Sequence, residues 1–87
     1  MKSIYIGNLV DYVTQKEILD LFAQFGEVIS ISIIRDKKTK QCKGYAFVEM
    51  ENKNANTAIS MLNNDVFMGR NIIVREATKN KNTFKSL

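Results

Sequence analysis

The sequence predicts an α+β sandwich in which four strands and two helices follow one another as βαββαβ. Three observations carry this: two apolar stripes at helical spacing, four short β-branched or aromatic runs, and glycine or asparagine punctuation between them. Such a split βαβ order gives one four-stranded antiparallel sheet with both helices on the same face. The other face has no helix over it, so what sits there decides what the chain does.

The first strand starts almost at the first residue. Residues 3–9 begin with β-branched and aromatic side chains and reach Gly7 and Asn8. Residues 10–13 connect. Thr14 then stands three positions before Glu17, a capping box in which the threonine oxygen takes the Glu17 amide and the glutamate reaches back. Ile18, Leu21, Phe22 and Phe25 follow at i, i+3, i+4 and i+7, which predicts a helix over 15–25. Gly26 comes where a left-handed residue ends a helix.

Residues 28–35 alternate isoleucine with serine and predict a strand with one buried face. Residues 36–42 read as a hairpin loop, with Cys42 its last residue, and residues 43–50 as the third strand. Asn52 is placed to cap a second helix, where Ala55, Ala58, Ile59 and Leu62 repeat the helical stripe. Asn63, Asn64 and Asp65 tolerate the left-handed backbone that ends it. Gly69 makes a turn, and residues 72–75 are the last strand. Residues 78–87 are polar apart from Phe84 and Leu87 and are expected to fray.

At 87 residues the chain is one small domain. Its 45% hydrophobic and 25% charged residues place it with globular chains. It has no apolar run long enough to span a bilayer, and no secretory pattern is read at its start. Histidine is absent, which removes the commonest general base and metal ligand. Cys42 is the only cysteine, so neither an internal disulfide nor a cysteine-based zinc site is available, and a reducing compartment is expected. No metal and no cofactor are expected.

The net charge of +4 is unevenly placed. Arg35, Lys37, Lys38, Lys40 and Lys43 stand against Asp36 alone. Lys79, Lys81 and Lys85 make the end basic, and the remainder is net acidic. An acidic body with two basic appendages suits a polyanion met from one side. The plain alternative is a solvated loop and a solvated tail.

Strand alternation assigns the two faces of the sheet. Ile4, Ile6, Ile31, Ile33, Ala46, Val48, Met50, Ile72 and Val74 face the helices. Tyr5, Gly7, Ser32, Ile34, Lys43, Tyr45, Phe47, Glu49, Ile73 and Arg75 face outward. The open face therefore carries three aromatic rings, Tyr5, Tyr45 and Phe47, with Lys43 and Arg75 beside them. Flat rings match the faces of nucleic-acid bases, and stacking contributes about 1–3 kcal/mol per base. The competing reading buries these rings in the core, which requires a third layer that only the ten-residue end could supply.

Residues 43–50 resemble the ribonucleoprotein octapeptide, Lys/Arg-Gly-Phe/Tyr-Gly/Ala-Phe-Val-x-Phe/Tyr, at seven of eight positions. Residues 4–9 are similar to the companion hexapeptide of the same family. The chain thus resembles a single RNA recognition motif (RRM), a ferredoxin-like βαββαβ domain, from about residue 2 to 77. The resemblance implies sheet order 4-1-3-2, a domain over 1–78, and a basic, flexible tail over 79–87. It implies that successive bases stack on Tyr5 and Phe47, that Tyr45 packs against the sugars, and that Lys43 bridges to a phosphate. Asn8, Arg75, and Lys38 and Lys40 of the loop join the RNA-contacting set. Met50 departs from the pattern, but alternation turns it toward the helices. Asn64 stands where the family often has glycine.

The expected partner is single-stranded RNA, with single-stranded DNA bound more weakly and duplex RNA poorly. No small-molecule substrate and no membrane are expected, and the chain is read as a monomer in post-transcriptional regulation. The alternative within the family is a protein-binding domain that captures a peptide on its helical face. Such members usually have degraded aromatic motifs, and here all three rings are intact. The same topology also serves hydrolases and metal carriers. A metal carrier would need a second cysteine, and residues 7–13 lack the arginine or lysine of an anion-cradling loop, so an enzyme is not expected. The absence of trailing low-complexity repeats favours a complete, small bacterial protein of the cytoplasm. A eukaryotic member would be nuclear or cytoplasmic.

Overall fold

Eight elements follow one another in residues 1–77, the part of the chain that this computed structural model describes. They are β1 (Lys2–Gly7), α1 (Gln15–Ala23), β2 (Val28–Arg35), β3 (Cys42–Met50), α2 (Asn52–Leu62), β4 (Val66–Phe67), β5 (Arg70–Asn71) and β6 (Ile73–Glu76). The expectation of a fraying basic tail over 79–87 lies outside the described residues.

Ile4 and Ile6 are fully buried, so their side of β1 is the core side. β1 is central. It pairs antiparallel with β3 on one flank, Ile4 opposite Val48 and Ile6 opposite Ala46, and with β6 on the other, Ile6 opposite Val74. β2 pairs with the far side of β3, which makes the sheet β2-β3-β1-β6. This is the expected 4-1-3-2 order and the ferredoxin-like α+β fold. Ile18 and Phe22 of α1 and Ala55, Ala58 and Leu62 of α2 close the core over one face. Met50 is fully buried, as alternation requires.

The Thr14 capping box forms as predicted. The Glu17 amide donates to Thr14 Oγ1 at 3.4 Å, and the Thr14 amide donates to Glu17 Oε1 at 2.8 Å. The predicted helix over 15–25 ends two residues early, because the Phe25 and Gly26 amides tighten onto the Phe22 and Ala23 carbonyls. The second helix is capped differently from the expectation. Glu51 holds the N-cap position without a side-chain bond, and Asn52 is already helical. Asn64 ends that helix region with φ +69°. The last strand runs one residue later than predicted, although Ile72 is still fully buried.

Three features escape periodicity. Leu9, Val10 and Val13 of the first connection are core residues. Cys42 is not a loop residue: it opens β3 at 5% exposure and accepts the Gly44 amide on Sγ at 3.3 Å. The short hairpin β4–β5 interposes before β6, turning through Met68 and Gly69 at φ +53° and +84°. Two consecutive left-handed residues are the signature of a tight hairpin turn whose twist matches its strands. No helix among the described residues is long and apolar enough to cross a membrane.

Candidate nucleic-acid interface

The open face is a grid set by strand register. Across β6, β1, β3 and β2, one row reads Arg75, Tyr5, Phe47, Ser32. The next row reads Ile73, Gly7, Tyr45. Cross-strand neighbours lie about 4.5–5.5 Å apart at Cβ, which sets Arg75 beside Tyr5 and Tyr5 beside Phe47 in the first row. Among the described residues no helix lies over these rows, and all three rings are half-buried.

The rings form a triangle. Tyr5 and Tyr45 stack with centroids 6.0 Å apart and planes at 26°. Phe47 meets Tyr5 edge-on at 5.9 Å and Tyr45 edge-on at 6.0 Å. These are the offset and edge-to-face geometries that aromatic quadrupoles favour. Gly7 makes the triangle possible: a Cβ there would sit 2.7 Å from Cε1 of Tyr5, so the ring lies across the glycine. Arg75 closes the near end, its guanidinium carbon 4.9 Å from the Tyr5 centroid. Tyr5, Phe47, Arg75, Glu76 and Ala77 enclose a shallow hollow of about 230 Å³. Beyond Phe47, Ser30 Oγ donates to Glu49 Oε1 at 2.8 Å and places a carboxylate on the same face.

The predicted residues divide by location. Tyr5, Tyr45, Phe47 and Arg75 come together. Lys43 is exposed, on the outward side of β3 two residues from Tyr45. Lys38 and Lys40 sit exposed in the β2–β3 loop, whose backbone is organised by Asp36. The Asp36 carboxylate accepts the Lys38 amide at 2.8 Å and the Thr39 amide at 3.0 Å. These two amides, aided by the charge of Lys43, hold its pKa below the ordinary aspartate value. Lys40 takes φ +66°, which completes the turn.

Asn8 is engaged within the protein. Its amide nitrogen donates to the Asn71 carbonyl at 2.9 Å, and its oxygen accepts from Arg70 Nη1 at 3.5 Å. The side chain thereby ties the end of β1 to the β4–β5 hairpin. Sequence reasoning missed Gly7 as the seat of a ring, and missed Arg70 altogether. The only available signal for Arg70 was a lone arginine after the Gly69 turn, and its approach to Asn8 is a long-range contact no local pattern carries.

Comparison with known proteins adds four findings. Residues 4–73 match the family model described as RNA recognition motif. The chain is 41% identical over 76 residues to RbpF of Nostoc sp., named as an RNA-binding protein, which covers 86% of this chain and 72% of that protein. It is 34% identical over 90 residues to the human cleavage stimulation factor subunit 2 tau variant. That alignment takes in all of this chain and 15% of the relative's length. Among solved structures, the Rna15 RRM with bound RNA (GU) is similar at a TM-score of 0.81 and 27% identity, covering 93% of this chain and 87% of that one.

Proposed function

The chain belongs to the RNA recognition motif family, and from that premise we propose that it binds single-stranded RNA on the open face of its sheet. RNA as the ligand is supported by the family and by an RNA-bound structural neighbour. The mode of binding is supported chiefly by one observation: three half-buried rings within about 6 Å of one another on a face that no helix of the described residues covers.

In this reading one base stacks on Tyr5 and the next on Phe47, each stack worth about 1–3 kcal/mol. Tyr45 stands against the sugars. Lys43 meets a phosphate, and Lys38 and Lys40 extend the positive surface from the loop. Arg75 serves Tyr5 and the backbone together. Asn8 acts indirectly, by holding the hairpin against β1. Residues 1–78 form the binding domain, and the basic residues of 79–87 add attraction for the same polyanion. The chain acts as a monomer that binds without turnover, prefers RNA over single-stranded DNA, and serves post-transcriptional regulation.

Fluorescence anisotropy with a degenerate pool of short single-stranded RNA tests this, with the wild type beside a Tyr5→Ala/Phe47→Ala double variant. Binding that the double variant loses is the expected result. A wild type that ignores the pool at low salt, yet captures peptides on its helical face, would overturn it.

A further inference from the structure

A hollow opens at the end of the sheet away from the β2–β3 loop, where β1 and β2 begin and β3 passes into α2. It holds about 240 Å³ and is lined by Met1, Glu27, Ile29, Glu51 and Asn54. Met1 is 70% exposed and Ile29 50%. Two features of the backbone build it. Between Val28 and Ser30, β2 advances two residues against one of β3, so Ile29 is the extra residue of a bulge, a device that re-aims a side chain. Gly26, at φ +140°, lies against the Asn54 side chain with no room for a Cβ, which brings Glu27 to the start of α2.

The hollow sets two apolar side chains beside two carboxylates. Among the described residues neither Glu27 nor Glu51 makes an ion pair, and Glu51 spends no side-chain bond on capping α2. An occupant with cations and an apolar anchor fits, and the chain itself supplies one. β6 runs antiparallel to β1, and the Ala77 amide donates to the Ser3 carbonyl at 2.8 Å. Residue 78 therefore starts at this same end of the sheet, one strand from Met1. The ten residues 78–87 hold Lys79, Lys81 and Lys85, no acidic side chain, and two apolar ones, Phe84 and Leu87. From β6 across β1 and β3 to β2 is three strand spacings, about 15 Å. Residues 78–84 span up to about 23–25 Å when extended, so Phe84 is within reach of Ile29. The open face suits the same lysines less well: it offers Glu49, already bonded to Ser30, and opposes them with Arg75 and Lys43.

We propose that residues 78–87 dock along this rim of the sheet, with Phe84 on Ile29 and Met1 and the lysines against Glu51 and Glu27. Docked there, the segment leaves the aromatic triangle open, and its lysines are held by the protein's own carboxylates. RNA competes for those lysines, so a bound strand draws the segment off the rim. The docking stands apart from the reading of the chain as a binder of single-stranded RNA; the release rests on it.

The test is amide NMR on full-length chains: wild type, Phe84→Ala and a Glu27→Gln/Glu51→Gln double variant, whose exchanged glutamates are exposed. The expected result is reciprocal. Phe84→Ala shifts the Ile29 and Glu51 amides, and the glutamine variant shifts the amides of residues 81–85. Added salt is expected to shrink the wild-type difference from the glutamine variant, since exposed ion pairs are screened. Shifts confined to the neighbours of each substitution in the chain would overturn the docking. Phe84→Ala shifting Tyr5, Tyr45 and Phe47 instead would overturn it in favour of the open face. Rim shifts that vanish on dilution would overturn it in favour of a second copy's segment. Titrating a degenerate single-stranded RNA hexamer into the wild type should move the Ile29 and Glu51 amides toward their Phe84→Ala positions. Rim amides that stay in place while Tyr5 and Phe47 respond to the RNA would overturn the release and keep the docking. A wild type that shows the reciprocal shifts yet does not respond to RNA anywhere keeps the docking and removes the RNA reading.

Discussion

Arg75 stands directly across the β1–β6 ladder from Tyr5, and its guanidinium lies over the ring that a base would use. The charge sits within cation–π range of the ring. In the proposed binding mode, an incoming base would slide between the two groups or move the guanidinium aside toward a phosphate, and either route would use both residues. Arg75→Ala is expected to weaken RNA binding about three- to tenfold, and to lower the log–log salt slope by roughly 0.7, one phosphate contact on a single strand. Arg75→Lys retains the charge but not the flat face, so it should restore the slope and only part of the affinity. Anisotropy titrations at several salt concentrations separate the two effects.

Two phenylalanines of similar size have opposite duties. Phe22 is fully buried between helix and sheet, whereas Phe47 is half-buried on the open face. Phe22→Ala should cost about 3–5 kcal/mol of folding stability. Phe47→Ala should leave a folded chain and cost about 1–3 kcal/mol in RNA binding. Chemical denaturation and circular dichroism check both, and an unfolded Phe47→Ala variant would contradict the face assignment.

Gly7→Ala is expected to impair binding without harming the fold. The added methyl would occupy space that the Tyr5 ring now takes. The ring is at the open surface and can shift, so the melting temperature should change little. The displaced ring no longer matches Phe47 and Tyr45, so RNA affinity should fall severalfold. Equal affinity in the variant would show that the ring's position over Gly7 does not matter.

Asp36 makes the β2–β3 loop sensitive to acid. Its folded pKa lies below the ordinary aspartate value because the Thr39 and Lys38 amides donate to the carboxylate. A depressed carboxylate pKa means the contribution is fully present above the unfolded value and is lost as pH falls through the folded one. NMR titration should therefore show the Asp36 carboxyl protonating at lower pH than a free aspartate. The Lys38 and Thr39 amide shifts should move in the same step. A carboxyl titrating at the unperturbed value would refute the loop's organisation.

Most of the fold was legible because it is written in local periods. The stripe Ile18, Leu21, Phe22, Phe25 specifies a helix, and the alternation through Tyr45, Ala46, Phe47 and Val48 specifies a strand with two unlike faces. Tyr5, Tyr45, Phe47 and Arg75 could be assigned to one face for the same reason: a strand's period of two leaves only two faces. Boundaries were less legible. The turn at Phe25 and the cap at Glu51 depend on backbone bonds that several residue types can make.

By itself, the sequence determined the order of elements, the buried face of each strand and the residue types left on the open face. Only the tertiary structure decided who stands next to whom. Register placed Arg75 over Tyr5, and packing brought Cys42 and Val13 into the core. The Asn8 side chain, reaching across 63 positions to Asn71, fastened the β4–β5 hairpin to the sheet and brought Arg70 into a basin with Tyr12. A two-residue strand is too short to carry a period, and a contact between distant residues leaves no trace in either neighbourhood. Such features arise only when the chain closes on itself and unpaired backbone and side-chain groups find their partners.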